Sequence, residues 1–102
     1  MSVKGCTAKQ VQIIADSGLE PRIIKRLNKV GIANYTVFDA RGEGDSGWHS
    51  GQMDGDSEVL ILLLLEEGQM DSLKDVCKHY LSRGHHLTVF VSNVEMISLS
   101  CM

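Results

Sequence analysis

The chain has 102 residues, 43% of them apolar and 23% charged, with a formal net charge of -3 at pH 7. That length holds one domain with a modest core, and the charge argues against nucleic acid, which favours a basic partner surface. The longest apolar run, Val59–Leu65, is far shorter than a membrane-spanning helix requires. The opening MSVKGCTAKQ lacks the apolar stretch of a signal peptide, so a cytoplasmic location is expected. Cys6, Cys77 and Cys101 are odd in number and widely spaced, which fits thiols in a reducing compartment; a redox pair between Cys6 and Cys101 is the alternative.

The first predicted element is a strand over Val11–Ala15, apolar and β-branched, closed by Asp16, Ser17 and Gly18. A helix follows over Glu20–Val30. Pro21 suits its first turn, where an N–H has no intrahelical partner. Ile23, Ile24, Leu27 and Val30 form its apolar stripe, while Arg22, Lys25, Arg26 and Lys29 face water. Gly31 stands where a C-terminal cap belongs. Tyr35–Ala40 reads as a second strand and Glu58–Leu65 as a third, whose continuous apolar character suggests burial on both sides. Glu66 and Glu67 read as a solvated turn. A second helix is predicted over Gln69–Leu81, with Met70, Leu73, Val76, Cys77, Tyr80 and Leu81 as its apolar face. Leu87–Val91 is the fourth strand, and Ser92–Met102 adds a short strand or packs on the sheet.

The order βαββαβ predicts an α+β domain of ferredoxin-like type, a four-stranded antiparallel sheet with two helices on one face. The strands carry apolar residues on their other face as well. A second copy of the chain is the simplest cover, so a homo-oligomer is expected.

No nucleophile elbow, metalloprotease helix or Walker loop is present, and no enzymatic activity is expected. Half of the ten glycines lie between Gly42 and Gly55, in a segment too long to be idle in a compact domain. Gly42 and Gly44 flank Glu43 directly after a strand, where glycine lets backbone N–H groups approach an anion. Arg41 adds a fixed charge suited to phosphate or carboxylate. The bland reading is a flexible hairpin tip turning at Asp54–Gly55. Trp48, the one tryptophan, marks a contact surface there together with His49. Cys77, His79, His85 and His86 motivate a metal site, although adjacent residues such as His85 and His86 seldom reach the same ion.

The segment Val30–Gly44, VGIANYTVFDARGEG, resembles the PII signalling superfamily at Gly31, Ile32, Thr36, Val37, Gly42 and Gly44, with Val89–Val91 and Val94 fitting the last core strand. The resemblance implies a single PII-like domain over residues 1–102 with a T-loop-like segment at 41–57. It also implies a homotrimer that binds adenine nucleotides between subunits and signals to a target protein such as a transporter or enzyme. By position, it implies nucleotide contacts from Tyr35, Thr36, Val37, Arg41, Gly42, Glu43 and Gly44, from Leu64 against the base, and from Arg83, Gly84 and His85 near the phosphates. The loop is shortened and Ile97–Met102 has no basic pair for a terminal phosphate, so ADP or AMP is expected ahead of ATP. The implied branch includes proteins linked to bicarbonate transport and carboxysomes, with Arg41, Ser46 and Gly47 placed for bicarbonate. A trimeric metal-binding protein of the CutA type, on the same architecture, is the alternative.

Overall fold

Strict alternation of side chains organises the molecule. The computed structural model describes residues 2–41 and 57–101. In chain order the elements are strand β1 (Lys4–Asp16), helix α1 (Glu20–Lys29), strands β2 (Tyr35–Ala40) and β3 (Glu58–Leu65), helix α2 (Met70–Leu81) and strand β4 (Leu87–Ser98). The sheet order is β2-β3-β1-β4, and every pairing is antiparallel. This is the ferredoxin-like arrangement expected from the sequence.

Val11, Ile13 and Ala15 of β1 and Val59, Ile61, Leu63 and Leu65 of β3 turn to one side of the sheet. There they meet Ile23 and Leu27 of α1 and Met70, Leu73, Val76, Cys77 and Tyr80 of α2 in one buried cluster. The opposite face carries Phe38, Leu60, Ile14, Leu62, Leu64 and Phe90. Phe38 and Phe90 are 48% and 55% exposed, so within one chain β3 is buried on one side only. The helical stripes are also narrower than predicted. Val30 and Leu81, one step past the core-facing residues, are exposed.

Two elements exceed their predicted lengths. β1 begins at Lys4, and β4 runs on to Ser98 instead of stopping near Val91. Lys4–Ala8 pairs with Val94–Ser98 beyond the end of β3, as a two-stranded ribbon whose backbone ladder needs no alternating apolar pattern. Cys6 on this ribbon is joined to Cys101 by a disulfide, with Cα atoms 5.9 Å apart. This corrects the expectation of three thiols: an odd cysteine count conceals a pair when the third, Cys77, is a buried core residue. Glu66 and Gln69 form a reciprocal capping box, with the Glu66 N–H donating to Gln69 Oε1 at 3.0 Å, and Glu67 pairs with Lys9 at 3.2 Å.

Both helices close with the same chemistry. At α1 the Ile32 N–H donates to the Leu27 carbonyl and the Gly31 N–H to that of Asn28, with Gly31 at φ 84°. At α2 the His85 N–H donates to the Tyr80 carbonyl and the Gly84 N–H to that of Leu81, with Gly84 at φ 85°. These are paired Schellman bonds, and the left-handed backbone they require favours glycine.

Ile61→Ala removes a fully buried side chain and should cost about 2–5 kcal/mol, read from the shift in urea midpoint. Reducing the Cys6–Cys101 bond, which closes a sequence separation of 95 residues, should lower stability by about 2–4 kcal/mol in paired unfolding curves with and without reductant.

Candidate functional site

The candidate site residues within the described chain fall at opposite ends of the sheet. At one end, where α1 passes into β2 and β3 finishes, Ala33, Asn34, Tyr35, Thr36, Leu62 and Leu64 line a cavity of about 290 Å³. A neighbouring cavity of about 270 Å³ shares Ala33, Asn34 and Leu64 and adds Gly31, Glu66 and Gln69. The Schellman turn at Gly31 sets the course of this corner. Val37 packs against the core, unlike its neighbours Tyr35 and Thr36 in the cavity wall.

At the other end stand Arg41, following β2, and Arg83–Gly84–His85, joining α2 to β4. A strand rises about 3.3 Å per residue, so Thr36 and Arg41 are separated by about 17 Å along β2. The chain therefore unites Tyr35, Thr36 and Leu64 in one place and Arg83 with His85 in another. Gly42, Glu43, Gly44, Ser46, Gly47, Trp48 and His49 lie outside the described residues, as does most of the 41–57 segment.

Arg83 and His85 face a groove of about 370 Å³ between the two helices, which the sequence reading did not anticipate. Arg22, Lys25, Arg26 and Lys29 form its α1 wall, and His79, Tyr80, Arg83 and His85 form the other. The α1 spacing of i, i+3, i+4 and i+7 was the signal available in the sequence, since it puts all four cations on one helix face. Tyr80, 4% exposed, is the floor. The Arg26 guanidinium lies 5.8 Å from its ring centroid, and the His79 and His85 rings meet it edge-on at 4.9 and 5.8 Å. Arg83 Nη1 donates to the His79 carbonyl at 2.9 Å, which fixes its fork. Partial burial, and then the charges of Arg26, Arg83 and His85, hold the His79 imidazole below its usual range.

The metal reading finds no support. Among the described residues no three His, Cys, Asp or Glu side chains come together as a metal-binding group. Cys77 lines an apolar cleft between α2 and β4, apart from the helix-to-helix groove that holds His79 and His85. Burial raises the Cys77 thiol pKa, which makes it a poor thiolate ligand. Among the described residues no helix is long and apolar enough to cross a membrane.

A family model described as nitrogen regulatory protein P-II matches residues 8–100. Comparison with curated proteins gives no significant match. Among solved structures, the chain is similar to CPII from Thiomonas intermedia bound to ADP and bicarbonate, at 21% identity and a TM-score of 0.76, with 93% of each chain covered. It is also similar to a protein described as PII-like and signalling from Thermus thermophilus, at 28% identity and a TM-score of 0.67, covering 94% of this chain and 92% of that one. A third likeness is to the B. subtilis GlnK–ATP complex, at 17% identity and a TM-score of 0.65, covering 86% and 82%.

Because part of the depression of the His79 pKa is coulombic, added salt should screen it. In an NMR titration His79 should take up its proton below the ordinary imidazole range at low ionic strength and move back up toward it in 1 M salt. A salt-independent midpoint would remove the charged neighbours as a cause.

Proposed function

The chain belongs to the nitrogen regulatory protein P-II family, and on that membership we propose that it is a homotrimeric sensor of adenine nucleotides, ADP or AMP ahead of ATP. The nucleotide occupies clefts between subunits, bicarbonate binds beside it, and the 41–57 segment of a single 1–102 domain carries the signal to a target protein such as a transporter or enzyme. The protein acts as a regulator and not as a catalyst.

The observation that carries this reading is the separation of the site residues. A base-sized cavity walled by Thr36 and by the aliphatic Leu62 and Leu64 lies at one end of the sheet, while the anion-binding candidates Arg41, Arg83 and His85 lie at the other. A nucleotide held by both sets needs two copies of the chain. The uncovered sheet face with Phe38, Leu60, Leu62 and Phe90 supplies an apolar surface on which copies associate. Apolar walls suit the base, and an arginine suits a phosphate or a small carboxylate-like anion such as bicarbonate. The similar Thiomonas protein was solved with ADP and bicarbonate, and also with ADP, AMP and acetate.

Calorimetric titration of ADP, AMP and ATP, with and without bicarbonate and with the solution mass measured alongside, tests the reading. Binding of ADP or AMP to a species of three chains is expected. Arg41→Ala and Leu64→Glu should each weaken ADP by about tenfold or more, near 1.4 kcal/mol. Mixed trimers of the two variants should recover some full-strength sites, since an intact cleft forms where the good end of each meets the other. No heat with any adenine nucleotide, or a monomer in solution, would sink the proposal.

A further inference from the structure

We propose that the groove between α1 and α2 is a second anion site, built for a compact phosphate-bearing polyanion, which shares its Arg83–His85 wall with the proposed nucleotide cleft and is set apart from it by the four α1 cations. Five of the ten Lys and Arg residues of a chain with net charge -3 line this one groove, so the cluster does not follow from a basic composition. Among the described residues no carboxylate lines it, and none of the five is seen in a salt bridge.

The arrangement partly works against the helix that carries it, since only Arg26 and Lys29 stand in the last turn, where the dipole favours a cation. Like charges one turn apart repel along Arg22, Lys25, Arg26 and Lys29. Arg22 also stands in the first turn, where the helix's own partial positive charge disfavours a cation. A bound polyanion relieves both repulsions together.

The groove is also organised for phosphate in particular. The Arg83 guanidinium is tied to the His79 carbonyl and that of Arg26 rests near the Tyr80 ring, so two planar forks are held on a rigid floor. Planar forks grip phosphate oxygens in pairs, and lysine ammonium groups add point charge around them. The cavity of about 370 Å³ is open to solvent on the exposed face of α1 and admits a diphosphate, whether free or as the phosphate chain of a nucleotide. None of the four α1 cations is among the residues assigned to the nucleotide cleft, so mutation on α1 separates the two sites.

Pyrophosphate and ADP, titrated separately into wild type and into the double variant Arg22→Gln/Lys25→Gln, supply the test. Both positions are solvent-facing, so the fold should survive, and an unchanged circular dichroism spectrum checks this. Wild type should bind pyrophosphate with shifts in the His79 and His85 imidazole resonances. The double variant should bind it at least tenfold more weakly, with ADP affinity within about twofold of wild type. If wild type shows no pyrophosphate binding, or the variant binds it equally well, the proposal is overturned. Equal losses for pyrophosphate and ADP would overturn it by making the groove part of the nucleotide cleft. Binding of an oligo-glutamate peptide without binding of pyrophosphate would overturn it in favour of a protein partner. The pyrophosphate arm decides the matter even if ADP binds nowhere on the protein.

Discussion

The register of β3 against β1 is the constraint on which the rest of the molecule depends. Ile13 stands opposite Ile61 and Val11 opposite Leu63, and these rows seat both helices. β3 is apolar on both faces and so cannot choose its own register. β1 chooses it, because Gln10 and Gln12 alternate with Val11 and Ile13, and a slip of one residue would carry the two glutamines into the core. The same register runs on into β2, where Tyr35 opposes Leu63 and Ala40 opposes Glu58. That pairing places Thr36 beside Leu62 and Leu64 and sends Arg41 to the far end. The division of the candidate site into two halves is thus a direct result of how the core aligns.

Much of this was legible in the residues. Tyr35–Ala40 and Glu58–Leu65 match their strands to the residue, the first through its aromatic and β-branched side chains and the second as an apolar run buried on alternate residues. The outer halves of β1 and β4 were not legible. KGCTAKQ and SNVEMIS lie outside the main buried cluster, with only Cys6 and Ala8 buried among them, and a ladder held by backbone bonds leaves little trace in side-chain pattern. The Cys6–Cys101 bond stood in the sequence only as the alternative to free thiols for a related reason, since it joins positions brought together by that ribbon. Of the candidate site, Thr36, Leu64, Arg83 and His85 line cavities, but sequence order could not show that they line different ones. The cationic face of α1 was visible as a solvated stripe. Its meaning changed only when α2 and the Gly84 turn set Tyr80, Arg83 and His85 against it.

Net charge conceals this distribution. A chain of overall charge -3 argues against polyanions only if its charges are spread evenly, and here five cations share one groove. Local field, not the sum, determines what a surface attracts. The glycine turn at the end of α2 matters for the same reason. The two Schellman bonds at Tyr80 and Leu81 hold Arg83 and His85 in place, so backbone chemistry at Gly84 sets the electrostatics of the groove wall.

The cross-link between the start of β1 and the segment after β4 bears on how copies of the chain can associate. Small sheet proteins with long edge strands are prone to trade those strands with a neighbour, which gives intertwined assemblies that part only by unfolding. Here β4 is an edge strand, and its far end is covalently fastened beside its own β1. Neither strand can leave for another molecule while the bond is intact. When oxidised copies of this chain associate, the β1–β4 pair therefore stays within each protomer, and exchange of strands is confined to the other edge of the sheet.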